Sequence, residues 1–319
     1  MAKIIVLTPV KNEKWILDRF LSVTSKFADV IIVADQSSTD GSLDVYNKYE
    51  KVHLIKNEQQ EYDEASRQLL LLETARKLFP DEKRILLALD SDEIMAADAM
   101  DKRGWQTMLE AEPGTILYFE KPDLYQTPFN VLRYEFLWPI GYVDDGVEHK
   151  PSRLHSIRIP RPDYAAKLYL NEIKVMHYAL TRMDGQDAKM MLYSMLENIH
   201  QTKSTLVRRY TYRVGFNYAG KNIVQATPQT WFERWEQEGI DMKSISSVSR
   251  FWQNDEALSL FAKHGYKKFW YDNIWNYNWE QLAKPLNQSI KRPPAYIAVT
   301  MKLADKVYVW LRRLKSSFR

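Results

Sequence analysis

Cysteine is absent from the 319 residues. That excludes disulfides, thiolate zinc sites and cysteine nucleophiles, and it fits a reducing, cytoplasmic setting. Glycine is scarce, ten in all, so glycine-rich repeats are excluded. No apolar run reaches the roughly 18 residues that a membrane-spanning helix requires. The opening Met-Ala-Lys-Ile-Ile-Val-Leu-Thr-Pro-Val-Lys-Asn-Glu is too short and too early in its charges for a signal peptide, and none is expected. The six histidines show no His-Glu-x-x-His or similar metal-ligand spacing. A strong charge of one sign is also missing, since the net charge is only +4. So modest a field, with no recognisable nucleic-acid module, ranks nucleic acid low as a partner.

What is present is a globular composition, 45% apolar and 27% charged, with ample material for a core. The length suits about two domains. Residues 1–100 carry 13 basic and 18 acidic side chains, and the remainder carries 32 and 23. Seven of the ten tryptophans follow residue 230. An acidic front and a basic, aromatic back point to two jobs, and the expected division is 1–184 and 185–319.

The first ninety residues alternate strand and helix patterns. Ile4-Ile5-Val6-Leu7, Val30-Ile31-Ile32-Val33-Ala34, Val52-His53-Leu54-Ile55 and Ile85-Leu86-Leu87-Ala88-Leu89 are apolar runs of strand length. Helical spacing separates them, at Trp15, Ile16, Phe20, Leu21 and Val23, and again over residues 69–78. Strands divided by helices predict βαβ units, hence a mostly parallel sheet covered on both faces. Ligands of such sheets bind at the carboxyl ends of the strands. Residues 115–175 turn to strands and loops, and helices dominate after Gly185. The last helix, expected over 295–315, places Ile297, Met301, Ala304, Tyr308, Leu311 and Leu314 on one stripe.

The segment Leu87-Ala88-Leu89-Asp90-Ser91-Asp92-Glu93 ends an apolar strand in a cluster of carboxylates. Mutual repulsion makes such a cluster costly unless a cation neutralises it. Mg²⁺ takes one or two carboxylates together with substrate phosphates. An acidic helix N-terminus is the plainer explanation of the same residues.

Three further segments stand beside it: Thr8-Pro9-Val10-Lys11-Asn12-Glu13 after the first strand, Val33-Ala34-Asp35-Gln36-Ser37-Ser38-Thr39-Asp40-Gly41 after the second, and Glu61-Tyr62-Asp63-Glu64-Ala65-Ser66-Arg67-Gln68 opening the third helix. In order and spacing, over residues 3–95, the four together resemble the family 2 glycosyltransferases of GT-A fold. The resemblance implies a GT-A, Rossmann-like α/β domain with a helical C-terminal extension. It implies a metal-dependent, inverting transfer of a sugar from a nucleotide-diphosphate donor to a hydroxyl of a glycan or lipid-linked acceptor. Pro9, Asn12 and Glu13 would line the nucleotide pocket, Asp35 would read the base, and Arg67 would stand near the diphosphate. Asp90 would approach ribose and metal, and Asp92 would ligate Mg²⁺ or Mn²⁺. Gln36, Ser37 and Gln68 depart from the family's usual residues and bear on base preference.

Two expectations lie beyond the matched block. His177 closes the apolar run 173–176 and resembles a late histidine of GT-A enzymes that reaches the metal or its phosphates; an ordinary structural histidine is the alternative. The catalytic base, a carboxylate that takes the acceptor's proton, is expected among Asp144, Asp145, Glu148, Asp163 and Glu172. Asp145 is favoured because Gly141 and Gly146 flank its loop.

Residues 215–222, Gly-Phe-Asn-Tyr-Ala-Gly-Lys-Asn, nearly match a P-loop, but Asn222 stands where Ser or Thr must hold Mg²⁺, so a plain loop is expected. The aromatic residues near 270–279 are expected to pack helices, with a sugar-stacking surface as the sharper alternative. Residues 301–319 hold six basic side chains against Asp305. With Met301, Tyr308, Leu311 and Leu314 they suggest peripheral contact with the anionic inner face of a membrane. A nucleotidyltransferase and a non-catalytic nucleotide-sugar-binding module are the rival readings.

Overall fold

The computed structural model describes residues 2–57, 62–213, 215–220, 223–246, 248 and 250–317. Glu61, Lys221, Asn222 and Arg319 of the motifs above lie outside them, as do the side chains of Arg313 and Lys315. The elements, in chain order, begin β1 (Lys3–Val10), α1 (Lys14–Thr24), β2 (Val30–Asp35), α2 (Ser42–Tyr46), β3 (Val52–Lys56), α3 (Glu64–Leu78), β4 (Arg84–Ala88) and β5 (Glu93–Met95). Then come α4 (Arg103–Glu110), β6 (Thr115–Glu120), β7 (Asp123–Leu124), β8 (Asn130–Leu132), β9 (Trp138–Asp144) and β10 (Ala166–His177). The remainder is α5 (Met183–His200), α6 (Thr205–Thr211), β11 (Val224–Ala226), α7 (Glu233–Gln237), α8 (Trp252–His264), α9 (Trp279–Ala283) and α10 (Ala295–Ser317).

The chain divides into two compact units, 1–181 with 219–246, and 182–218 with 247–319. The single cut expected at 184 therefore misses the return of 219–246. The reason is burial: Trp231, Phe232, Trp235 and Met242 sit in the same core as β1 and α1. The indole N–H of Trp235 donates to the Met95 carbonyl at 2.9 Å.

The first unit is built on a sheet ordered β11-β8-β7-β10-β6-β9-β4-β1-β2-β3, with β5 added on β10. Only β8 and β9 run against the others along this path. The expected α/β fold with a mostly parallel sheet is thus what the chain forms. β1 and β2 are buried on both faces because alternate residues enter two different cores. Ile4, Val6, Ile31 and Val33 meet Ile16, Leu17 and Phe20 of α1. Ile5, Leu7 and Ile32 meet Leu71, Leu72 and Ala75 of α3. Each such Leu or Ile contributes about 1.5–3 kcal/mol by burial, which is why the runs are nearly continuous. The side chain of Asp63 caps α3 by accepting the Ser66 N–H at 3.1 Å.

Two local features carry the site. β10 shifts register between Leu170 and Lys174: its first half pairs with β6 and its end with β5, His177 lying opposite Glu93. β9 is antiparallel to β4, with Arg84 opposite Asp144. At Gly141 the strands approach so closely that a Cβ would lie 2.9 Å from both Leu87 and Leu117 side chains.

The second unit packs α5 against α8 and α6 against α10. Trp279 and Phe269 are fully buried, and both rings meet Phe261 edge-on. Much of the aromatic back end is therefore core. Arg208 donates to the buried Asp272 at 2.6 Å, and Arg209 forks onto Asp305 of α10 at 2.6 and 2.8 Å. Ile297 is buried, and Met301, Ala304 and Tyr308 are half-buried. The first four residues of the expected stripe thus turn inward while Leu311 and Leu314 stay exposed, and Tyr296, Val299, Leu303, Val307 and Trp310 form a second, exposed row that runs on to Leu314. Among the described residues no helix is long and apolar enough to cross a membrane. The P-loop-like segment starts no helix, since Val224–Ala226 is a strand paired with β8.

Candidate active site

The carboxyl ends of β1, β2, β4, β6 and β10 share one edge of the sheet, because all five strands point the same way. The loops after β1 and β2 are laced together there. The Asn12 N–H donates to Ser38 Oγ at 2.8 Å, and Asn12 Oδ1 accepts the Thr39 N–H at 2.6 Å. Asn12 takes a left-handed backbone, φ 56°, to make both bonds. Glu13 accepts the Trp15 indole N–H at 2.6 Å and opens α1. Pro9 pairs beside Ala34. Asp35 is 3% exposed. Its carboxylate accepts the Ser38 N–H at 2.9 Å and the Tyr46 hydroxyl at 2.8 Å. The four predicted pocket residues are thus gathered in adjoining loops, with Asp35 buried beneath Ser38 and Tyr46.

Arg67 lies in the first turn of α3, whose N-terminus faces the same edge. Its buried Nε has no hydrogen-bond partner, and its guanidinium lies 5.7 Å from the centre of the Tyr62 ring.

Beyond β4 the chain crosses to β5, which brings the Asp90–Glu93 turn against the end of β10. His177 Nε2 lies 3.6 Å from Asp92 Oδ2. On its other side His177 Nδ1 meets Asp123 Oδ1 at 2.5 Å, and the Tyr134 hydroxyl donates to the second Asp123 oxygen. A carboxylate behind an imidazole fixes its tautomer and aims the other nitrogen, the arrangement that supports metal-binding histidines. Burial and then Lys121 pull the His177 imidazolium down, but Asp92 and Asp123 outweigh them and push it up to about 9. Burial also raises Asp123, and the charge of His177 brings it below the usual carboxylate range.

Asp90 and Glu93 are occupied differently. Arg158 donates to Asp90 Oδ2 and to Glu93 Oε2, each at 2.5 Å, and Lys121 donates to Glu93 Oε1 at 2.8 Å. Burial would raise Glu93, yet Arg158 and then Lys121 hold it well below the usual range. Among the described residues no three His, Asp or Glu side chains are grouped so as to hold a metal ion, so Asp90, Asp92 and His177 do not form such a set. Asp123 and Arg158 were not singled out by sequence; their partners lie 54 and 68 positions away.

Asp145 is not brought to this edge. It follows β9, and the Arg84–Asp144 pairing puts it at the amino end of β4. Six residues of strand at ~3.3 Å each separate that end from Asp90, roughly 20 Å. There Asp145 accepts the Tyr142 and Tyr164 hydroxyls at 2.7 and 2.8 Å and the Val147 N–H at 3.1 Å. Gly141 serves strand packing and Gly146, φ +82°, a turn, so neither marks a cleft. The other candidates fare no better. Asp144 is fully buried between Arg76 and Arg84, Glu148 is exposed beside Lys150, and Glu172 accepts the Gly104 N–H. Asp163 is exposed, next to Tyr164.

Comparison with known proteins adds one assignment. Among solved structures, a glycosyltransferase involved in the glycosylation of the major capsid of PBCV-1 shares 16% identity at a TM-score of 0.26, over 45% of this chain and 60% of that one. A 4-diphosphocytidyl-2C-methyl-D-erythritol synthase shares 11% identity at a TM-score of 0.29, over 81% of this chain and 99% of the other. The chain thus spans less than two thirds of the first of these. No curated protein matches. Residues 5–118 match the model for glycosyl transferase family 2. That span holds the laced loops after β1 and β2, Arg67 and the Asp90–Glu93 turn, and over it the chain is similar to glycosyl transferase family 2.

Proposed function

We propose that this chain transfers a sugar from a nucleoside-diphosphate donor to a hydroxyl of a glycan or lipid-linked acceptor, with a divalent cation and with inversion at C1. The observation that carries this reading is the convergence of Asp92 Oδ2 and His177 Nε2, 3.6 Å apart, at the carboxyl edge of the sheet. Oxygen and imidazole donors suit Mg²⁺ or Mn²⁺ completed by substrate phosphates, and the Asp123 carboxylate supports the imidazole. When bound, the cation would neutralise the charge that develops on the leaving diphosphate. Asp92 and His177 would hold it, and His177 must give up its proton to do so. Pro9, Asn12 and Glu13 would shape the nucleoside pocket over Asp35, and Arg67 would offer its unpartnered Nε to a phosphate. Arg158, bonded to Asp90 Oδ2, would orient Asp90 toward the ribose, with Asp92 toward the cation.

The exposed stripe of α10, flanked by Lys302, Lys306 and Arg312, would rest on an anionic membrane surface beside a lipid-linked acceptor. Calorimetry of UDP-, GDP- and CDP-sugars with Mn²⁺ tests the central reading. Asp92→Asn should keep the fold and lose Mn²⁺-dependent nucleotide binding. Unchanged affinity in that variant refutes the assignment.

A further inference from the structure

An aromatic ladder stands beside this edge, and of its rings only Tyr134 has appeared above. Tyr134 and Phe136 lie in the loop between β8 and β9, and Trp138 opens β9; the three rings contact one another in series. Ring centres are 5.4 Å apart for the first pair and 5.2 Å for the second. Phe136 is 53% exposed and Trp138 37%. Both ends of the ladder are tied to the site. At one end Tyr134 donates to Asp123, which holds His177. At the other, Lys121 sits 4.4 Å from the centre of the Trp138 ring and bonds Glu93 at 2.8 Å.

The first pair is stacked and the second tilted by 56°, and contacting rings held open to water are uncommon on a surface with no partner. A pyranose offers a flat C–H face to such rings and hydroxyls at its rim, the mixture that aromatic sites with a few polar groups accommodate. The neighbouring cations are engaged: Arg133 and Lys174 with Glu120 at 2.6 and 2.7 Å, and Lys121 with Glu93. The ladder thus lacks the basic groove of a single-strand binder. The sheet order places β9 and β6 on the far side of β4 from β1 and β2. β10, whose end carries His177, lies beyond them on that same side, so the ladder stands with His177 on the side of β4 away from the loops after β1 and β2.

We propose that Tyr134, Phe136 and Trp138 form the platform on which a pyranose ring of the acceptor stacks. This rests on the transferase reading, and the test separates the two. Saturation-transfer NMR would use the methyl β-pyranosides of glucose, galactose, mannose and N-acetylglucosamine, with UDP and Mn²⁺ titrated on the same samples. Wild type and Phe136→Tyr should transfer saturation to ring protons of at least one pyranoside. Phe136→Ala should bind it roughly 2- to 12-fold more weakly, the range for one aromatic contact, with UDP binding unchanged. Equal signals in wild type and Phe136→Ala overturn the platform, as does silence from all four sugars. Oligothymidylate binding that is lost in Phe136→Ala, without any pyranoside response, reassigns it to nucleic acid. A pyranoside contrast without nucleotide binding fails the transferase reading and leaves the platform standing.

Discussion

Asp145→Asn separates a residue that looks catalytic along the sequence from one that acts at the site. About 20 Å of strand lies between Asp145 and Asp90. At that distance in water the Coulomb interaction of two unit charges is about 0.2 kcal/mol before screening, and salt removes most of it beyond ~10 Å. The electrostatic effect on a reaction at Asp92 is therefore within roughly a factor of two. Locally, asparagine retains the oxygen that serves Tyr142 and Val147 and loses the one that accepts from Tyr164. One hydrogen bond of that kind is worth about 1 kcal/mol of stability. Loss of a true base lowers turnover by about 10²–10⁴. The two accounts thus differ by at least about fiftyfold in kcat, well beyond assay error. Steady-state transfer with the donor chosen by calorimetry, beside a thermal melt, should show near-normal kcat and a small drop in Tm. A hundredfold fall in kcat, in a folded variant that still binds nucleotide, would return the base to Asp145 and refute the argument from strand direction.

Three more outcomes are expected. Asp123→Asn should weaken Mn²⁺ binding about 10- to 100-fold, the usual effect of removing a carboxylate behind a ligating histidine; equal affinity by calorimetry with UDP present would detach His177 from the cation. Asp144→Asn should cost about 3–5 kcal/mol at pH 7, because Arg76 and Arg84 lose a buried partner. Burial raises Asp144 and the two arginines bring it below its ordinary value, so its stabilisation is complete above about pH 4 and fades as pH falls through the depressed value. Urea unfolding at pH 7 and pH 3 should show the gap to wild type narrowing in acid, and a constant gap would contradict this. Finally, Leu303→Asp with Trp310→Asp should abolish pelleting with anionic liposomes at low salt, and undiminished pelleting would remove α10 from the membrane.

The parts legible in sequence were those written locally. β1, β2 and β4 read as strands because both faces are buried, and the loops after them carry their own turn and capping residues. β10 was legible only over its last third. Lys167, Tyr169, Asn171 and Glu172 are exposed, so most of that strand has no apolar signature. Strand direction was not legible at all: nothing between Gly141 and Gly146 tells that β9 runs against β4, and direction alone moved Asp145 to the wrong edge. The exposed stripe of α10 was hidden for a related reason. Two apolar rows at helical spacing share that helix, and sequence does not say which one docks.

The change of partner within β10 separates two tasks that would otherwise compete. His177 is pinned by the short ladder to β5 and by Asp123 of β7, so its place beside Asp92 depends on three paired positions and one side-chain bond. Within the stretch from α4 to the start of β10, Asp123 is bound to His177, Tyr134 to Asp123 and Arg158 to the Asp90–Glu93 turn, whereas residues 135–137 can change composition without disturbing the pair. Slipping the ladder by a single residue would instead turn His177 to the opposite face. Exchanging residues 135–137 for others should therefore change which acceptor is taken while leaving cation and nucleotide binding intact, whereas a one-residue deletion at 171–173 should abolish both.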